Sequence, residues 1–185
     1  MQITTQMVKE LRERTGAGIM DAKRALEQTE GNLELAAANL RQQGLDHAQK
    51  KAGRIASQGL VEAYIHGGGR IGALVELNCE TDFVARTTEF QNLAHDLAMQ
   101  VAATDPRYVA PGDIPESALA EGEREYGDRA SFTKQAALLA QPFIKEPRRT
   151  VEDVIKDHIA KLGENVVVRR FARFELGAAT ELAEE

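Results

Sequence analysis

Near residue 58 the spacing of apolar residues changes from about 3.6 to 2, and no other feature constrains the fold of this chain as strongly. Before that point Val8, Leu11, Ala22, Ala25, Leu26, Leu33, Ala36, Ala37 and Leu40 recur at helical spacing. After it Val61, Ala63 and Ile65 alternate with Glu62, Tyr64 and His66. Beyond Gly67-Gly68-Gly69, the residues Ile71, Ala73, Val75, Leu77 and Cys79 fall on one face. A period of 2 sends successive side chains to opposite sides of a strand, so the second pattern predicts a β-hairpin. The expected class is α+β: a helical head, then an antiparallel sheet packed with helices.

The head is predicted to span 1–54 as three short helices. Thr4 caps the first, Ile3 and Val8 sit at the two ends of a hydrophobic staple, and Gly16 stops it. The second begins after Gly18 and carries Ala22, Ala25, Leu26 and Thr29 on one face. Gly31-Asn32 ends it and caps the third, which is expected to stop at Gly44. Residues 45–58 read as a helical connector with basic positions Lys50, Lys51 and Arg54. A module of this size is marginal alone.

The core is predicted to span 55–185. A helix over about 88–103 is expected to be capped by Thr88 with Gln91, and to bury Phe90, Leu93, Ala94, Leu97 and Val101. Tyr108–Ala110 reads as a short strand and Pro111-Gly112 as a turn, with a helix from Pro115. Thr150 and Asp153 cap a helix bearing Val151, Val154, Ile155, Ile159 and Leu162, stopped by Gly163. Val166–Leu176 then forms a long strand, with Val166, Val168, Ala172 and Phe174 on one face and Val167 and Phe171 on the other. The acidic tail from Gly177 is expected to fray.

The formal net charge of −6 argues for a protein partner, because phosphate binding draws its affinity from a basic face that releases counterions. No direct nucleic-acid contact is expected. A single cysteine rules out an intrachain disulfide and fits a reducing compartment. The N-terminus lacks an apolar signal region, and no run reaches the ~18 apolar residues of a membrane span. The expected protein is cytoplasmic, with no membrane partner.

Little here suggests catalysis. His66-Gly67-Gly68-Gly69-Arg70 lies between strands, whereas a phosphate loop opens a helix and carries Lys-Ser/Thr. Gly16-Ala17-Gly18 opens a helix but does not follow a strand. His47, His66, His95 and His158 fall on four elements without metal-ligand spacing, so no metal and no cofactor are expected. Cys79 continues the core face of its strand and reads as a small buried hydrophobe. Arg169, Arg170 and Arg173 are either a charged sheet surface or a stripe facing a partner.

Glu80–Arg86 stands apart. Phe83 and Val84 lie after the strand pattern ends and before the next helix begins, where no core periodicity demands them. They either plug the end of a core or form an apolar probe held out by a rigid scaffold.

Leu11-Arg12 with Thr15-Gly16-Ala17-Gly18-Ile19-Met20-Asp21-Ala22-Lys23-Arg24-Ala25-Leu26 resembles the N-terminal signature of the elongation factor Ts family. Val75-Glu76-Leu77-Asn78-Cys79-Glu80-Thr81-Asp82-Phe83-Val84-Ala85-Arg86 resembles its second signature. The likeness continues through Phe90-Gln91-Asn92-Leu93-Ala94, Gln141-Pro142-Phe143 and Gly163-Glu164-Asn165 to Arg169-Arg170-Phe171. It implies a ubiquitin-associated-like head that grips the GTPase elongation factor Tu. It also implies a turn that pushes a phenylalanine toward that partner's Mg²⁺ site and so promotes GDP release. Carried over, the wedge is Thr81, Asp82, Phe83 and Val84, and head contacts come from Lys9, Arg12, Gly18, Ile19 and Met20. The role is that of a nucleotide-exchange factor without catalytic residues.

The resemblance also implies a homodimer through the C-terminal sheet, since long family members hold two core subdomains where this chain has one. Between Tyr126 and Gln141 the chain is shorter than the family pattern and lacks a helical stretch with a Gly-Arg-Leu run. Two other classes compete. A pure adaptor would use the three-helix head and have no need of the wedge. A hydrolase would use Glu80, Asp82 and His95 and require a substrate pocket.

Overall fold

Each turn of chain direction in the N-terminal part is made by a residue suited to it. In the computed structural model, which describes residues 3–178, helix α1 (Thr5–Thr15) starts at Thr4, whose hydroxyl accepts from the Met7 amide. It ends at Gly16, whose φ of 69° is the left-handed conformation that glycine adopts without a Cβ penalty. Helix α2 (Ile19–Gln28) follows Gly18, and α3 (Leu33–Lys51) is capped by Asn32, which accepts from the Leu35 amide. Leu11, Ala22, Ala25, Leu26 and Ala36 form the core between them, with Ile3 and Val8 packed against it.

Helix α3 does not stop at Gly44. A Cβ placed on Gly44 would lie 3.1 Å from the Ala160 methyl, so this glycine serves close packing rather than termination. The helix runs on to Lys51, absorbing the first half of the expected connector; residues 53–57 are not helical. The third helix is therefore long, at 19 residues.

Next come β1 (Gln58–His66), β2 (Ile71–Cys79), a single helical turn α4 (Asp82–Ala85), and α5 (Thr88–Thr104). A 3₁₀ turn at Pro111–Asp113 leads to α6 (Glu116–Tyr126) and α7 (Arg129–Ala136). A second 3₁₀ turn at Leu138–Ala140 precedes the short pair β3 (Pro142–Phe143) and β4 (Glu146–Thr150), then α8 (Val151–Leu162) and β5 (Val166–Glu175). Tyr108 makes one isolated bridge to Ala137, not the expected strand. Thr150 and Asp153 cap α8 reciprocally, each side chain bonding the other's amide. The chain divides into two compact units, one of residues 1–54 and 156–165, the other of 55–155 and 166–185. Ala178 is the last described residue, so most of the expected frayed tail lies outside the described residues.

In the second unit the main sheet is antiparallel, in the order β1-β2-β5. Ala73, Val75, Leu77 and Cys79 of β2 are buried and α5 packs against that side, burying Phe90, Leu93, Ala94, Leu97 and Val101. On β1 the sides are reversed from simple amphipathicity. Val61 and Ile65 face solvent, whereas Glu62 and Tyr64 are half-buried, and Glu62 meets His95 Nδ1 of α5 at 3.0 Å.

Strand β5 corrects the expected division of its side chains. The pairing slips between Glu76 and Leu77, so Leu77 faces Val168 while Glu76 faces Arg170, and Arg169 is the extra residue of a bulge. One inserted residue exchanges the two faces downstream. Val166, Val168, Phe171 and Arg173 therefore share the core side, and Val167, Ala172 and Phe174 lie on the outer side.

Candidate functional site

The Glu80–Thr87 connection is a tightly bonded turn. Cys79 is fully buried at the end of β2, and its thiol donates to the Thr81 carbonyl across 3.1 Å. Thr81 caps α4, its hydroxyl accepting from the Val84 amide at 3.4 Å. Asp82 lies in the first turn and pairs with Arg86 at 2.8 Å. Ala85 is buried and Val84 half-buried, so one side of the turn is seated on the core.

Phe83 is on the other side and 78% exposed. It plugs no core. A large aromatic ring held in water on a turn with three-sided bonding is the kind of group that a binding partner covers.

The residues assigned to the head lie in the first unit. Arg12 is exposed and its Nε donates to the Ala17 carbonyl at 3.2 Å, which fixes the loop between α1 and α2. At the end of that loop Gly18, Ile19 and Met20 open α2. Both side chains point into solvent, Met20 with 67% of its surface exposed. Lys9 is exposed on α1 and pairs loosely with Glu13 at 3.8 Å. Arg12 with Gly18–Met20 thus forms one local cluster, and Thr81–Val84 another in the other unit.

Two arginines of β5, Arg170 and Arg173, have partners within the chain. Arg170 Nε meets Glu76 at 2.6 Å on the neighbouring strand. Arg173, with its side chain only 14% exposed, donates to the Ala102 carbonyl and approaches Asp105 at the C-terminal end of α5, where a cation suits the helix dipole. Of the three groups that a hydrolase would require, two are engaged elsewhere: His95 bonds Glu62, and Asp82 bonds Arg86. Among the described residues no helix is long and apolar enough to cross a membrane.

One residue of this region escapes the sequence reading. The cap of α5 is Thr87 rather than Thr88: its hydroxyl accepts from the Phe90 amide at 3.3 Å. Adjacent threonines both suit an N-cap, and the signal that decides is the spacing of three to the buried Phe90.

Residues 44–178 match the family model described as elongation factor TS. The chain belongs to the elongation factor Ts family. It is 55% identical to elongation factor Ts of Carboxydothermus hydrogenoformans over an alignment that takes in 99% of this chain and 93% of that protein. Against elongation factor Ts of Moorella thermoacetica it is 53% identical over 96% of this chain and 97% of the relative. The counterpart in Desulfitobacterium hafniense is 49% identical over 100% of the chain and 94% of that protein. The first alignment runs to 203 positions against the 185 residues present here, so that relative carries residues with no counterpart in this chain.

Proposed function

We propose that this protein is a guanine-nucleotide exchange factor of translation elongation, binding elongation factor Tu·GDP, disturbing its Mg²⁺ and phosphate site, and promoting GDP release so that GTP can enter. It acts in the cytoplasm, without chemistry, cofactor, nucleic acid or membrane of its own. The observation that carries this reading is the exposed Phe83 on a capped turn seated on buried elements, within a chain of this family.

The energetics support a division of labour. Burying one phenylalanine yields ~1.5–3 kcal/mol. Lowering nucleotide affinity by about 10⁴ requires about 5.5 kcal/mol of differential binding. Phe83 with Thr81, Asp82 and Val84 is therefore the wedge, and residues 1–54, the ubiquitin-associated-like head, supply further binding energy through Lys9, Arg12, Gly18, Ile19 and Met20. The core of 55–185 carries the wedge. Because coupling is reciprocal, GDP weakens the protein complex as much as the protein weakens GDP binding.

The working form is a homodimer. Ile65, Leu74 and Phe174 lie on the outer side of the sheet and are exposed, and an unpartnered apolar sheet face is commonly an interface. Segment 113–141 leaves these side chains exposed, so it is not the covering layer. A two-fold axis would pack the sheet on its copy.

Release of labelled GDP from elongation factor Tu, with and without the full chain, tests the reading. Acceleration at substoichiometric amounts is expected. Unchanged release at saturating protein would overturn it.

A further inference from the structure

We infer that Thr87 is a positioning residue for the wedge, holding Phe83 in register with the core through a single hydroxyl. The inference rests on the exchange-factor reading above and adds a residue that the family likeness does not assign.

Helix α4 is one turn of four residues. A first helical turn fixes many dihedrals for few hydrogen bonds, so it does not persist by propensity. Its geometry comes from the seating of Ala85 and Val84 on the core and from the bonds at its two ends. At the N-terminal end Thr81 provides the cap. At the other end the Val84 carbonyl, which the Arg86 amide also approaches, receives two donors from Thr87: the amide at 3.0 Å and the hydroxyl at 2.8 Å. The same hydroxyl oxygen accepts from the Phe90 amide at 3.3 Å. A hydroxyl has one proton to give and lone pairs to receive, so both bonds form at once. Thr87 Oγ1 therefore belongs to two elements, closing the last turn of α4 and the first of α5.

The second element is the rigid one. Phe90 and Leu97 are fully buried and Leu93 nearly so, which makes α5 a fixed reference within its unit. Phe83 itself is 78% exposed, so its position is set by the turn that carries it: the seated Ala85 and Val84, and the bonds on either side. Asp82–Arg86 is too solvent-exposed to hold the turn alone. Without the Thr87 hydroxyl, the Val84 carbonyl loses its side-chain donor and the Phe90 amide loses its side-chain acceptor. The ring then samples orientations that do not fit the partner, which costs maximal rate more than encounter affinity.

The test measures GDP release from elongation factor Tu over a range of full-chain concentrations for Thr87→Val, Thr87→Ser, Thr88→Val, Phe83→Ala and the Phe83→Ala/Thr87→Val double variant. Thr87→Val keeps the volume and removes the hydroxyl. It is expected to lower the maximal rate about tenfold, about 1.4 kcal/mol, with little change in half-saturating concentration. Thr87→Ser restores the rate, and Thr88→Val stays within about twofold of the parent. In the Phe83→Ala background Thr87→Val adds nothing, because a residue that acts only by aiming the ring has no ring to aim. Amide hydrogen exchange should quicken at Val84–Thr87 and Phe90 while Leu93–Leu97 stay protected. A native rate in Thr87→Val, an equal loss in Thr87→Ser, or an additive loss in the double variant would overturn the positioning role while leaving the wedge in place. If Thr87→Val unfolds, the hydroxyl holds the whole unit rather than the wedge, and the positioning role is overturned. Native exchange by Phe83→Ala would instead remove the wedge reading and this inference with it.

Discussion

Asp82 and Arg86 lie 2.8 Å apart across the single turn that carries Phe83. Arg86 lies largely in water and Asp82 is half-exposed, a setting in which such pairs contribute little stability. The turn is thus a bonded platform with an aromatic ring that the fold does not need. Phe83→Ala should therefore leave thermal unfolding within about 0.5 kcal/mol of the parent. GDP release should slow by roughly 10–10²-fold, the equivalent of ~1.5–3 kcal/mol of ring burial against the partner. Unfolding and exchange measured on the same preparation check both halves; a variant that exchanges normally would sink the wedge.

The head is expected to act on affinity. Ile19 and Met20 are exposed at the start of α2 and do not belong to the buried cluster around Leu11 and Leu26. Ile19→Ser with Met20→Ser should raise the half-saturating concentration about tenfold or more, since each apolar side chain lost from an interface is worth about 1 kcal/mol or more. The plateau rate should hold. A fall in plateau with unchanged half-saturation would assign these residues to the exchange step itself.

Periodicity made most of the fold legible: the stripes of α2, α5 and α8 are buried as their spacing predicts, and Thr4, Asn32 and Thr150 cap their helices. Its failures share a cause, contacts made by distant residues. Gly44 reads as a helix stop until Ala160 is placed beside it. The outward turn of Val61 and Ile65 goes with a register that sets Glu62 opposite the buried Val75 and within reach of His95, 33 residues away. The face reversal in β5 arises at Arg169 from its pairing with β2, and a bulge has no local signature in a run of strand formers. At the site, Phe83 was visible because it fell outside both patterns. Thr87 was not, since its spacing of three to Phe90 competes with the capping-box spacing of Thr88 to Gln91, and the hydrogen bonds fall to Thr87.

Gly122 stands inside α6, where alanine would ordinarily stabilise. Here a Cβ would lie 2.2 Å from Cγ of Phe132, within the body of a buried ring that packs with Ile114, Ala136 and Ala137. The clash exceeds the propensity gain of ~1 kcal/mol, and Gly122→Ala should destabilise by about 1–3 kcal/mol. Denaturant unfolding measures this. A more stable variant would mean that α6 and α7 shift apart freely.

The bulge at Arg169 also determines which substitution tests the homodimer. Phe171 faces the core side, opposite Val75, so a charge there would damage the fold and say nothing of assembly. Phe174 is the informative position. It is 70% exposed, and across Gly72 it shares a row of the sheet with Ile65, itself 66% exposed. In the next row on the same side Leu74 stands between Ala63 and Ala172. Two such faces related by a two-fold axis would bury these residues against their own copies, and association through them depends on concentration. Phe174→Asp would place two carboxylates in that contact without opening the core. The parent chain is expected to sediment as a dimer at tens of micromolar, and Phe174→Asp as a monomer with an unchanged far-ultraviolet spectrum. A monomeric parent would leave the sheet without a partner and remove the dimer. A dimeric Phe174→Asp would place the interface elsewhere on the chain.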